Sequence, residues 1–244
     1  MQSAPASGMM PGSPAPAAPP ADHWATELSG IRLARLAALL SLLGLVVALV
    51  APLAFLVVLG LHIPIIGTSF GSAAFTITIL EELMAIILVG FLLMLGALTL
   101  YLLAFAKIRK NADGFGAPMV LTLLGLLGAF LLVLGAGLIL GQVYSAVNCA
   151  AGAAVGSCIS LSTVAAGVYA ILGGLFLAFL GWIGLILGLY RMGKRYDSGL
   201  TKVGAILYII PFLNLVATIL VFIGIHGTVE KYARSAPPGA PASG

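Results

Sequence analysis

Five stretches of the chain contain no charged residue: 36–61, 83–106, 117–141, 164–190 and 203–225. They are 26, 24, 25, 27 and 23 residues long. A helix rises about 1.5 Å per residue and a bilayer core is about 30 Å thick, so roughly 20 residues suffice to cross it. Strands of a membrane barrel would alternate apolar and polar positions over about 10 residues, and the run 121–140 shows no alternation. The pattern predicts an all-α integral membrane bundle of five transmembrane helices, within a membrane domain spanning 36–232.

Composition agrees with the pattern. Of 244 residues, 61% are hydrophobic and 7% charged, and the mean hydropathy is +1.20. A soluble domain carries roughly a quarter charged residues, and a nucleic-acid surface needs more cations than this chain holds, so the expected partners are the lipid bilayer and other membrane subunits or further copies of itself. The few charges set an orientation, because Lys and Arg in short flanking segments stay on the cytoplasmic side. Arg32 and Arg35 precede the first run, Lys107, Arg109 and Lys110 separate the second and third, and Arg191, Lys194, Arg195 and Lys202 separate the fourth and fifth. The other two connections, 62–82 and 142–163, contain neither Lys nor Arg. The expectation is a multi-pass protein of the cell membrane with the N-terminus cytoplasmic and the C-terminus outside. In the rival reading the fifth run is a re-entrant hairpin broken at Pro211, which brings the tail with Lys231 and Arg234 back inside.

Residues 1–21 are a Pro/Ala-rich tract without charge, and 233–244 end in APPGAPASG; such composition buries little apolar surface and reads as disorder. Between them, 22–35 sets Trp24, Leu28, Ile31 and Leu36 near one helical face, as either an interfacial helix or an early start of the first span. The fourth run carries Gly167, Gly174, Gly181 and Gly188 at a spacing of seven, a shallow groove of the kind that lets helices approach closely in lipid. The groove fits a helix of the same chain or of a neighbour. Pro52 and Pro211 each remove a backbone donor and are expected to kink or break their helices. Asn214, Thr218, Thr99 and Ser41 are expected to serve as hydrogen bonders between helices.

Candidate chemistry is sparse. The two cysteines, Cys149 and Cys158, stand in the uncharged connection NCAAGAAVGSC, where an outer location predicts a disulfide. His62, Glu81, Glu82 and His226 are each expected at the outer boundary, with Glu230 one turn beyond His226; neutral imidazoles with carboxylates are the weak candidates for a metal or proton site. The rival role is interfacial capping, and no cofactor is expected. No phosphate loop, HExxH, CxxC or nucleophile with a matching His occurs, so the chain is not expected to be an enzyme.

Residues 188–225 form a short basic loop with Gly193, Tyr196 and Asp197, then Gly204, the sequence Ile210-Pro211-Phe212-Leu213-Asn214, and Gly224. This stretch resembles the C-terminal part of an archaeal family of multi-pass membrane proteins of unknown function. The resemblance implies an archaeal source and a five-span fold, and supplies no activity. The function expected is a structural or accessory subunit of a membrane assembly. The alternatives are a small channel or carrier for an ion or neutral solute, and an accessory subunit of a redox complex. One consequence is directly measurable: alkylation of the denatured, unreduced protein should leave both cysteines unmodified, and quantitative labelling would contradict the disulfide.

Overall fold

A computed structural model describes residues 21–66, 73–149 and 160–235, with the side chains of 21–22, 51–84, 87 and 147–149 excepted. The tracts 1–20 and 236–244, Cys158 and the side chain of Cys149 lie outside the described residues, and with them the expected disulfide. Every regular element among those described is helical: α1 (Ala21–Ile66), α2 (Ala73–Arg109), α3 (Gly116–Cys149), α4 (Leu161–Arg195), α5 (Gly199–Leu207) and α6 (Asn214–Arg234), with a 3-10 turn at Pro211–Leu213 before α6. Five helices are long and apolar enough to cross a membrane, over His23–Val50, Leu88–Arg109, Gly116–Ala146, Leu161–Arg195 and Pro211–Arg234. The protein is a multi-pass, all-α membrane protein.

Of the two readings of segment 22–35, the structure has the early start of the first helix, because α1 runs without a break from Ala21. Its buried face, Trp24, Leu28, Ile31, Ala34 and Ala38, continues straight into the apolar run. At the other end, α6 continues to Arg234 and so includes residues 233 and 234, which composition had placed in the tail.

The main correction concerns the fifth uncharged run, 203–225, which is two helices and not one, broken at Pro211 as in the rival reading. Pro211 has no N–H to donate and disfavours helical geometry in the residue before it; Ile210 is accordingly extended, at φ −99° and ψ 108°. The short helix α5 stops at Leu207, the chain reverses, and α6 returns alongside it. Two glycines allow that close return: a methyl group on Gly204 would meet the Ala217 carbonyl at 2.9 Å, and one on Gly224 would meet the Thr201 nitrogen at 2.7 Å. Deeper in the hairpin the Tyr208 hydroxyl is 2.7 Å from the Thr218 hydroxyl. The last turns of α6 then meet the first turns of α1, where the Tyr232 hydroxyl donates to Glu27 Oε2 at 2.9 Å and the Tyr232 ring stacks on Trp24. The end of α6 and the start of α1 therefore lie at the same end of the bundle, in place of the opposite ends that five successive crossings would give.

At that end the helices close a ring, each in contact with the next and α6 with α1. The buried core lies there: Leu28 and Ile31 of α1, Tyr101, Phe105 and Ile108 of α2, Phe115 before α3, Leu189 and Met192 of α4, and Val221 and Ile225 of α6. Away from it the chain continues as two helix pairs, α1 with α2 and α3 with α4. The groove of α4 is filled by α3 of the same chain. Gly181 meets Gly125, Gly174 meets the Gly128 carbonyl (2.8 Å from a methyl placed there), and Gly167 meets the Gly135 carbonyl (3.1 Å). Gly188 continues the series toward α2, against the ring of Phe105.

Gly173, on the same helix, has nothing within 4 Å of such a methyl. Gly181→Leu should therefore lower the thermal unfolding midpoint in detergent by the equivalent of roughly 3 kcal/mol or more, whereas Gly173→Leu should change it little. Equal midpoints for the two variants would contradict the packing.

Candidate functional site

Two polar assemblies stand out in a chain so poor in polar groups. The first is built on Glu27, whose position on α1 follows from helical periodicity. It lies three residues after Trp24 and four before Ile31, on the face that the ring buries, and is 7% exposed. A carboxylate so placed needs several donors. Arg195, in the last turn of α4, donates Nε–H to Oε1 at 2.6 Å, and Tyr196, the residue that ends α4, donates its hydroxyl to the same oxygen at 2.7 Å. Tyr232 serves the other oxygen. The ring of Tyr232 lies between Trp24, in a parallel stack, and Tyr196, edge-on. Burial first, and then the bond to the carboxylate, push the Tyr196 phenol above its ordinary pKa, so it stays a donor at physiological pH.

The α2–α3 connection joins the same assembly, since Asn111 Nδ2 donates to the His23 carbonyl at 2.8 Å and accepts from Arg195 Nη2 at 3.4 Å through its own carbonyl. One carboxylate thus ties α1, α4 and α6, with the α2–α3 connection held at its edge. The turn from α4 to α5 is built to allow this. Asp197 takes a left-handed conformation, φ 50°, and Ser198 caps α5 by accepting from Thr201 N. Gly193 leaves room for the returning chain, where a methyl group would lie 2.8 Å from Lys202 N.

The second assembly is the helix break. Thr218 donates to the Asn214 carbonyl at 2.7 Å and accepts from the Tyr208 hydroxyl at 2.7 Å. Asn214 Oδ1 is buried and has no partner among the described residues. The backbone turning here is not covered: Ile209 and Ile210 are exposed, and Phe212 is 94% exposed.

The residues singled out from sequence fare differently. Thr218 does join two elements. Thr99 does not, because its hydroxyl returns to the Leu95 carbonyl of its own helix at 2.9 Å. Ser41 is buried on α1. Pro52 falls within the continuous helix α1; its side chain and those of His62, Glu81 and Glu82 lie outside the described residues. His226 was expected at the boundary shared with His62. Instead it occupies the Glu27 end, bonded 3.3 Å from Glu230 of its own helix and stacked near Phe222. His62 belongs to the far part of α1, about 35 residues and roughly 50 Å of helix beyond Glu27. The fold therefore separates His226 from the other candidates, and no group of three metal-ligating side chains occurs among the described residues.

Glu27, Tyr196 and Tyr232 were missed. The signal was available for Glu27, the one carboxylate on the apolar face of 22–35. Its partners are more than 160 residues away in sequence, and no local pattern names them.

Removing the carboxylate should leave three donors without their acceptor. Glu27→Ala should cost about 2–3 kcal/mol, and Tyr232→Phe, which keeps the stack and loses one bond, about 1 kcal/mol. Thermal unfolding in detergent measures both, and limited trypsin digestion at Lys231 and Arg234 should quicken in Glu27→Ala. Unchanged stability and digestion would contradict an anchoring role.

A family model described as "Protein of unknown function (DUF973)" matches residues 26–242. No curated protein and no solved structure matches the chain.

Proposed function

Because the chain belongs to that family, whose description assigns no activity, we propose a function from geometry: a non-enzymatic subunit of a larger assembly in the cell membrane, with its helix break covered by a neighbouring protein. The cation-rich end faces the cytoplasm on this reading, and both the start of α1 and the end of α6 face it too.

The observation that carries the proposal is the exposed break. Starting from the Glu27–Tyr232 contact and taking α1 and α6 as antiparallel, Pro211 is level with about residue 48 of α1, roughly 18 Å past Leu36, where the apolar run begins. That is near the middle of a bilayer core of about 30 Å. Irregular backbone at such depth is tolerated where protein covers it or where it lines water, because lipid cannot satisfy its polar groups. The side chains presented there, Ile209, Ile210 and Phe212, are apolar and suit a protein neighbour better than water. Exposed aromatics on α3 and α4, among them Phe130, Phe176 and Phe179, offer further apolar surface for such an assembly.

A second reading, a conduit for a neutral solute, is favoured by the buried, unpartnered Asn214 Oδ1 beside the break. One experiment separates the two. With Phe212 replaced by photoreactive benzoylphenylalanine in native membranes, irradiation should give cross-links to a protein, either a second copy or a different subunit. Adducts to lipid alone would sink the subunit reading. Absence of adducts, together with solute flux in proteoliposomes that Asn214→Leu abolishes, would establish the conduit in its place.

A further inference from the structure

All eleven Lys and Arg residues of the chain fall on the end of the bundle that Glu27 marks. The carboxylates described at that end are Glu27, Asp113, Asp197 and Glu230, and three are already engaged. Glu27 is turned inward to Arg195 at 2.6 Å, Asp197 faces Lys202 at 3.4 Å, and Glu230 faces Arg234 at 3.5 Å and His226 at 3.3 Å. The side of the rim formed by the α2–α3 connection and the end of α4 is left with Arg109, Lys110, Arg191 and Lys194, none with a carboxylate in ion-pair distance among the described residues, and with the exposed Asp113 as its one acid.

Two of these cations converge on one short stretch of chain. The Arg191 guanidinium lies against Gly114, 3.6 Å from where a methyl group would stand, and the Arg109 guanidinium lies against Gly116, 3.9 Å from the same point there. Gly114 has φ 94°, a left-handed conformation that turns the connection between them. Like charges brought to either side of a three-residue stretch repel one another unless a counter-charge shares the site. Both stand within about a turn of an apolar run, 83–106 for Arg109 and 164–190 for Arg191, which is headgroup level. Exposed Leu103 and Val120 and the partly exposed Leu187 follow on the same helices toward the apolar side. A cationic face above apolar surface matches a ligand with an anionic head and an acyl tail. The orientation rule accounts for cations at this end; it does not account for how few balancing carboxylates stand around this pair among the described residues.

We propose that the Arg109–Arg191 face binds the headgroup of an anionic membrane lipid. This rests on the cation-rich end lying at a bilayer surface, and is independent of what covers the helix break.

The full chain, reconstituted in vesicles of equal parts phosphatidylglycerol and phosphatidylcholine and released into native mass spectrometry, should retain phosphatidylglycerol preferentially. Each interfacial cation contributes about fivefold, so Arg109→Gln with Arg191→Gln should reduce the preference roughly tenfold or more, while Arg109→Lys with Arg191→Lys keeps most of it. Lys231→Gln with Arg234→Gln removes the same charge from α6 and should leave the preference in place. Equal retention of the two lipids by the unaltered chain would overturn the site, as would equal losses in the two Gln pairs. Thermal unfolding of each variant confirms that the comparison is between folded proteins. A failed lipid preference with intact cross-linking at position 212 would refute this site alone.

Discussion

A proline in an apolar helix has no N–H to give, and the architecture of this protein depends on that missing hydrogen bond at position 211. Lipid cannot replace a lost backbone partner, so the chain reverses at Pro211 through one extended residue and a 3-10 turn. It re-forms its backbone bonds in α6, which packs on the helix it has just left. The small residues Gly204, Ala217 and Gly224 make the return close enough to pack, and the Tyr208–Thr218 pair joins the two arms at depth.

The reversal places Tyr232 beside Trp24 and Glu27, and so closes the ring of helices. Glu27 then has a structural reason to be buried. It is a carboxylate of α1 facing the ends of both α4 and α6, and its two oxygens are divided among Arg195, Tyr196 and Tyr232. A pair of this kind is costly to bury, and its stabilising value depends on filling the remaining acceptor positions; here two tyrosines do so. The glycine contacts of α3 with α4 do a different job. They hold a hairpin together by backbone approach where no hydrophobic drive exists between helices in lipid, and they lie mostly away from the core of the ring.

The long apolar helices and the glycine groove were legible in the sequence because each depends on local composition or on a fixed repeat. The occupant of the groove was not, since Gly125, Gly128 and Gly135 of α3 are spaced at three and seven and do not announce their partners. The end of the chain was misjudged for a related reason. An uncharged run of 23 residues satisfies the length rule for a span, and only the pairing of α5 with α6 shows that it doubles back. The proline was visible, but a proline kink and a proline reversal look alike until the packing of the two arms is known. Glu27 and its partners were the least legible, because side chains more than 160 residues apart are brought together only by the closed ring. The suggested His and Glu grouping loses His226 with the topology: once α6 returns, His226 lies at the Glu27 end and His62 at the other end of α1.

The return of α6 is the claim on which the others rest, and sidedness tests it most directly. Short epitope tags at residue 1 and after residue 244, probed with antibody and protease in sealed, right-side-out vesicles, should both be protected and become accessible together when the vesicles are opened. A C-terminal tag accessible in sealed vesicles while the N-terminal tag stays protected would contradict the hairpin, the closed ring and the position assigned to Glu27.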